Sequence, residues 1–250
     1  MADPWNLTPT EWANVLADHS TPEDTARRLL NGSYLPWNEV LLRYTQDSHD
    51  VLDLGSGRGE LSALLAVHGK RTTLLDWSQE NLDFSRRLFE ALGKQGTFVQ
   101  EDMTRPLPFN DGSFDTVFSC GVFEYFTDEQ IRNILREAFR VSRKRVMVLV
   151  PNALSLPYRV GMWHMKRTNA WPWGGERPFA TLAPHFQEFA KSVRVSEFTV
   201  GTKHALRFLT MRGGKRLQRL IVRGLRLRDH ARPACFHQGY LLISVGERLQ

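Results

Sequence analysis

Five consecutive residues, Gly55-Ser56-Gly57-Arg58-Gly59, place three glycines at alternate positions between an apolar stretch, Val51-Leu52-Asp53-Leu54, and a helical run over 60–67. Such a turn lets a ligand approach backbone N–H groups at the start of a helix. Nucleotide and dinucleotide sites share this arrangement, so the neighbouring residues decide between ligands. Glu60 stands where a dinucleotide fingerprint puts its third glycine. Asp53 lies two residues before the first glycine, where it repels a pyrophosphate. Asp76 ends the next apolar stretch, 72–75, and a carboxylate there can take two hydrogen bonds from a ribose diol.

The elements that position these residues follow from periodicity. Strand patterns at 51–54, 72–75, 97–100, 114–119 and 146–150 alternate with helical ones. Ser78 caps a helix with Leu82, Ser85, Leu88, Phe89 and Leu92 on one side, closed by Gly93. Thr127-Asp128-Glu129-Gln130 is a capping box before Ile131, Ile134, Leu135 and Ala138. This cadence predicts an α/β fold, a mostly parallel sheet with helices on both faces, whose ligands sit outside the carboxyl ends of the strands. Asp53, Asp76, Asp102 and Cys120 all fall at or near those ends, so one crevice could hold them.

Around this core at 46–152, residues 1–45 read as a helical cap, with Thr21-Pro22-Glu23-Asp24 opening one helix and 37–44 forming another. Residues 153–190 form a lid-like insert, irregular over 153–178 and helical over 184–191. A strand is expected at 193–200, a basic helical insert over 203–235, and a last strand at 240–245. No repeat or low-complexity linker interrupts the chain, which predicts a single domain over 1–250.

Asp53-Leu54-Gly55-Ser56-Gly57-Arg58-Gly59 resembles motif I of the class I S-adenosylmethionine-dependent methyltransferases. Asp76 is similar to that family's ribose-binding acid, Gln100-Glu101-Asp102-Met103 to its adenine-contacting segment, and Leu107-Pro108-Phe109-Asn110-Asp111-Gly112-Ser113-Phe114-Asp115 to its approach to strand four. The resemblance covers about 45–152. It implies a Rossmann-like seven-stranded sheet, S-adenosyl-L-methionine as cofactor and S-adenosyl-L-homocysteine as product. It also implies that Asp53 and the turn at Gly55, Ser56 and Gly57 face the cofactor's amino-acid portion. Asp76 then takes the ribose hydroxyls, and Trp77 lies along the adenine or packs. Asp102 and the Met103 N–H meet the adenine edge, and the backbone of Cys120 and Gly121 completes the methionine end. The alternative for the acids is that they cap helices and turns.

On the acceptor side, Glu124 and Tyr125 follow strand four. The rings of Phe123, Tyr125 and Phe126 could face a sulfonium, worth ~1 kcal/mol by cation–π attraction. Glu124 matches a family glutamate that a histidine commonly follows, but Tyr125 stands in the histidine's place. Glu124 is therefore either catalytic or a cap for the next helix. His185 is a base candidate, beside His164 and His204. Trp171, Trp173, Glu176 and Arg177, set among glycines and prolines, form either a lid that orients substrate by charge or an apolar plug over the sheet's edge.

Of 250 residues, 42% are apolar and 24% charged, enough to bury a core and to exclude whole-chain disorder. No run of about 18 apolar residues occurs, and the first residues lack a secretory leader's basic and apolar regions. Cys120 and Cys235 make neither a disulfide framework nor a zinc-ligand pattern, so no metal and a cytoplasmic location are expected. The net charge of +6 is uneven: between Lys203 and Arg232, ten Lys/Arg face one acid, a local +9. That segment could meet an anionic membrane surface, bind phosphates of a nucleic acid or substrate, or simply display a solvated basic face. The expected activity is methyl transfer to oxygen or nitrogen of a small, anionic or aromatic molecule. The alternatives are an RNA methyltransferase using the basic segment and a non-catalytic cofactor-binding scaffold. Ser119-Cys120-Gly121-Val122 lacks the Asn/Asp-Pro-Pro-aromatic segment of amino-methylating nucleic-acid enzymes.

Overall fold

The apolar stretch ahead of the glycines forms the middle of the sheet. In the computed structural model, which describes residues 20–209, 232–233 and 238–249, β1 (Asp50–Leu54) is flanked by β2 (Arg71–Asp76) and β4 (Phe114–Cys120), both parallel to it. Outside them, β3 (Thr97–Gln100) and β5 (Ser142–Pro151) are also parallel. β8 (Leu241–Arg248) runs antiparallel between β5 and β6 (Val193–Val200), and a two-residue β7 (Arg232–Pro233) pairs with β6. The order is β3-β2-β1-β4-β5-β8-β6-β7. Seven full strands, most of them parallel, bear out the α/β expectation, with β7 a short addition at the edge.

Alternate residues of the central strands go to opposite faces, and both faces are covered. Leu52, Leu54, Val117, Val146 and Val148 pack with Ile131, Ile134, Leu135 and Ala138 of α5 (Asp128–Val141). Val51, Phe118, Met147 and Leu149 pack with Trp37, Val40 and Leu41 of α2 (Pro36–Tyr44). A third cluster joins α1 (Pro22–Leu30), α3 (Glu60–Val67) and α4 (Gln79–Ala91) through Leu29, Leu64, Leu82 and Leu88. The side chains of Thr21, Ser78 and Thr127 accept the backbone N–H of Asp24, Asn81 and Gln130, fixing the starts of α1, α4 and α5.

Several sequence expectations change. The insert read as irregular over 153–178 holds α6 (Leu156–Arg167), whose glycine and aromatic residues obscure the usual period. The helical stretch expected at 184–191 is a 3-10 helix at Ala183–Phe189. β5 begins at Ser142, because Arg143, Lys144 and Arg145 remain in the strand and pair with Asp115, Asp50 and Asp47 at its open end. Residues 1–19 of the cap and 210–231 of the basic insert lie outside the described residues. Among the described residues, no helix is long and apolar enough to cross a membrane.

Candidate active site

A crevice of about 510 Å³ opens at the carboxyl ends of β1, β2 and β4. The glycine turn hangs from the end of β2: the N–H groups of Gly55 and Ser56 both donate to the Leu75 carbonyl, at 2.8 and 3.1 Å. Gly55 has φ +72°, and a Cβ there would stand 2.8 Å from Val122 Cγ2. Gly59 has φ +71°, and its Cβ would meet Leu74 Cδ2 and Ser85 Oγ at 2.6 Å. Only glycine fits either place.

Asp76 locks this turn. Its Oδ2 accepts the Gly57 N–H at 2.8 Å, and its Oδ1 accepts the Ser78 N–H at 2.9 Å and the Asn81 amide at 3.4 Å. Burial raises its carboxyl above the ordinary range despite these donors. The residue therefore ties the turn to Ser78, the cap of α4, while lining the crevice. Ser56 Oγ, also at the turn, is buried with no hydrogen-bond partner among the described residues.

Asp53 is placed differently from the expectation. It is 3% exposed, is not part of the crevice wall, and accepts the Ser62 hydroxyl of α3 at 2.8 Å. Burial, with the Asp76 charge nearby, pushes its carboxyl up to about 7 against the Ser62 hydrogen bond. Its charge reaches the crevice only from beneath the turn.

The opposite wall carries Trp77, Asp102 and Met103. Trp77 is half-exposed at the rim, and Asp102 Oδ1 accepts both the N–H and the hydroxyl of Thr104, at 2.9 and 2.7 Å. Cys120 lies at the crevice floor, where burial and then the charges of Glu124 and Asp53 push its thiol up, so it stays protonated. Glu101, Asn81 and Phe126 also line the crevice; Glu101 belongs to the expected adenine-contacting segment, whereas Asn81 had no expected role. Asn81 was legible as the residue facing the turn from the first turn of α4, five residues after Asp76.

The acceptor-side residues divide. Tyr125 lines the crevice, and its hydroxyl donates to the Trp173 carbonyl at 3.3 Å. Glu124 sits behind that wall, 3% exposed, with Oε2 buried and unpartnered among the described residues. It is not the cap of α5, since Thr127 is. The expected Glu176–Arg177 charge pair is split. Glu176 is buried and accepts the Tyr158 hydroxyl. Arg177 turns outward over the Phe179 ring, donating to Asp128 Oδ1 at 2.8 Å and to the Phe126 carbonyl at 3.1 Å. Adjacent residues of an extended segment point to opposite sides, which the sequence order hides. His185 is held by Asp128 at 3.2 Å and stands edge-on to Phe179, outside the crevice wall. Trp171 and Trp173 meet edge to face, 4.9 Å between centroids, in a cluster with Tyr158 and Phe208.

Residues 51–145 match the model of a methyltransferase domain. The chain is 33% identical over 149 residues to a demethylmenaquinone methyltransferase of Thermus thermophilus, covering 55% of this chain and 66% of that protein. It is 42% identical over 67 residues to one from Clavibacter sepedonicus, covering 27% and 26%. The chain thus spans less than two thirds of either relative. In shape it is similar to a structure from Thermotoga maritima described as an SAM-dependent methyltransferase, possible histamine N-methyltransferase, with TM-score 0.60, 16% identity and coverage of 88% and 92%. It is also similar to magnesium protoporphyrin IX methyltransferase from Synechocystis with bound SAH, with TM-score 0.55, 16% identity and coverage of 96% and 93%.

Proposed function

We propose that this chain, a member of the class I S-adenosylmethionine-dependent methyltransferases, transfers a methyl group to a small-molecule acceptor held on the Tyr125 side of its crevice. The observation that carries this reading is Asp76, a buried carboxylate at the tip of β2 that braces the glycine turn through the Gly57 N–H. Its Oδ2 retains acceptor capacity for a ribose hydroxyl. Trp77, Leu75 and Met103 offer apolar wall to an adenine, and the turn from Gly55 to Gly57 brings backbone close to the amino-acid end. Asp53 lies beneath that end, and an ammonium there favours its ionised form.

When bound, the cofactor supplies an electrophilic methyl on a sulfonium. The chain's own contribution is placement: in-line displacement needs the acceptor aligned with that methyl. Tyr125 and Phe126 supply ring surface beside the crevice, and the segment from Trp171 to Gly175 covers the acceptor side. This reading makes Glu124, Tyr125, Glu176 and the two tryptophans the acceptor-binding set. Arg177 and His185 join it only by bracing the segment against Asp128.

Calorimetric titration with S-adenosylmethionine and S-adenosylhomocysteine tests the proposal. Binding is expected, weakened about tenfold or more in Asp76→Ala, since hydrogen bonds to a charged group contribute ~1.5–3 kcal/mol each. A folded wild-type protein that binds neither ligand overturns the reading. The +9 charge between Lys203 and Arg232 favours RNA as a second acceptor class. A salt-dependent RNA mobility shift separates the two.

A further inference from the structure

Glu124 and Glu176 form a buried acidic pair that no described residue neutralises. They lie 3% and 6% exposed, and the N–H of Arg177, the residue after Glu176, donates to the Glu124 carbonyl at 3.0 Å, which brings the two acids' backbones side by side. Among the described residues, no Lys or Arg pairs with either, and the hydrogen bond to the Glu176 carboxyl comes from the neutral Tyr158 hydroxyl. Glu124 Oε2 has no partner there at all. Carboxylates are rarely buried without a counter-charge, because desolvation of the ion costs several kcal/mol.

The surroundings have the chemistry of a cation site. Aromatic rings gather beside the two acids: Tyr158 and Tyr240 at 5.4 Å between centroids, Tyr158 and Trp171 at 6.0 Å, Phe208 and Tyr240 at 5.0 Å. Ring faces attract cations, and organic ammonium ions are commonly held by such clusters. The pair also adjoins the reaction centre. Glu124 Oε1 lies 3.7 Å from where a Cβ on Gly121 would stand, and Gly121 lines the cofactor crevice. Tyr125 belongs to both, lining the crevice and bonding to Trp173 above the acids.

We propose that Glu124, Glu176 and the rings around them form the acceptor pocket, and that the acceptor is an organic cation, a primary or secondary ammonium whose nitrogen becomes methylated. This rests on the methyltransferase reading and narrows it. An anionic acceptor, which the composition left open, meets two buried carboxyls there and no Lys or Arg that pairs with either among the described residues. The step balances in charge and atoms. The ammonium gives a proton to the Glu124 carboxylate. The freed nitrogen lone pair then forms the N–C bond as the C–S bond breaks, the electron pair passing to sulfur. The sulfonium becomes a neutral thioether and the product an N-methylammonium.

Without a cation the pair keeps its protons. Burial pushes Glu124 well above the usual carboxyl range, the Glu176 charge adding to it, and burial pushes Glu176 up to about 8. The other groups facing Glu124 are Tyr125 on its own turn, Cys120 at the end of β4 and Tyr240 before β8, all raised towards their neutral forms. An arriving ammonium therefore displaces a proton to solvent.

The test is calorimetry at pH 7 with S-adenosylhomocysteine present, in phosphate and in MOPS, neither of which carries a primary or secondary ammonium, so that proton release is read from the buffer dependence of the heat. The probes are benzylamine, phenethylamine and ethanolamine, each against its neutral counterpart benzyl alcohol, 2-phenylethanol or ethylene glycol. At least one amine is expected to bind about tenfold or more tightly than its alcohol, with roughly one proton released per amine. Glu124→Gln and Glu176→Gln should each weaken that amine about tenfold while S-adenosylhomocysteine affinity stays within about twofold. Equal binding of amine and alcohol, binding without proton release, or unchanged amine affinity in both variants overturns the assignment. So does a protein that binds S-adenosylhomocysteine but none of the amines. Failure to bind S-adenosylhomocysteine overturns the cofactor reading itself, and this inference with it. Proton release is read on the wild-type protein, so it stands even where a variant does not fold.

Discussion

Asp53 and Asp76 share one face of the sheet, since Asp53 pairs in register with Leu74, yet Asp76 lies two residues further along its strand and so reaches the glycine turn. Asp53 shares its face of β1 with Val51, so its side chain enters the layer covered by α3 and finds Ser62. Sequence placed both acids near strand ends but did not show which neighbouring element each carboxylate would meet. The same blindness split Glu176 from Arg177. Burial leaves Asp53 with a carboxyl at about 7, above its ordinary 3.8. A raised folded value means the folded state holds the proton longer, so this group's contribution to stability is full below about pH 4 and is lost as pH rises through 7. Asp53→Asn should flatten that slope and be more stable than wild type at pH 8, by no more than about 4 kcal/mol. Urea unfolding at pH 5 and pH 8 measures it, and an unchanged slope in the variant contradicts the burial argument.

At the scale of elements, the cofactor half was legible because its signals are local. A glycine turn, three capped helices and five apolar strands each announce themselves within about a dozen residues. α6 was not, because its packing partner is distant in sequence. Gly161 sits so close to the 3-10 turn Leu206–Phe208 that a Cβ would lie 2.2 Å from the Phe208 carbonyl oxygen. That glycine, a weak helix former alone, is what allows the helix to dock. Gly161→Ala should therefore destabilise the protein by ~1–3 kcal/mol through overpacking. It should also push Phe208 away from Tyr158, since their rings now stand 5.1 Å apart. Thermal unfolding and tryptophan fluorescence of Trp171 and Trp173 report the two effects. A variant as stable as wild type with the same emission removes the close-approach explanation.

Across the whole molecule the two ends of the sheet differ in charge balance. At the amino ends, Asp115 accepts the N–H groups of His49 and Asp50 at 2.7 and 3.2 Å and the Arg143 side chain at 3.1 Å. Burial alone would raise its carboxyl, but Arg143 and these N–H groups hold it far below the ordinary value. A depressed folded value contributes stability above about pH 4 that is lost as pH falls further. Asp115→Asn should cost ~2 kcal/mol at pH 7, and the gap to wild type should close on acidification. A gap that does not narrow at all between pH 7 and pH 2 would show that packing, not charge, is responsible. At the carboxyl ends, Glu124 and Glu176 have no such clamp among the described residues. The strand order carries one more consequence. β8 lies between β5 and β6, although it follows both in the chain. During synthesis, β1 to β5 can assemble as soon as they leave the ribosome, whereas β6 has no seat until β8 emerges. The nascent chain can thus present a formed nucleoside cradle while its substrate-facing half still waits for a wall.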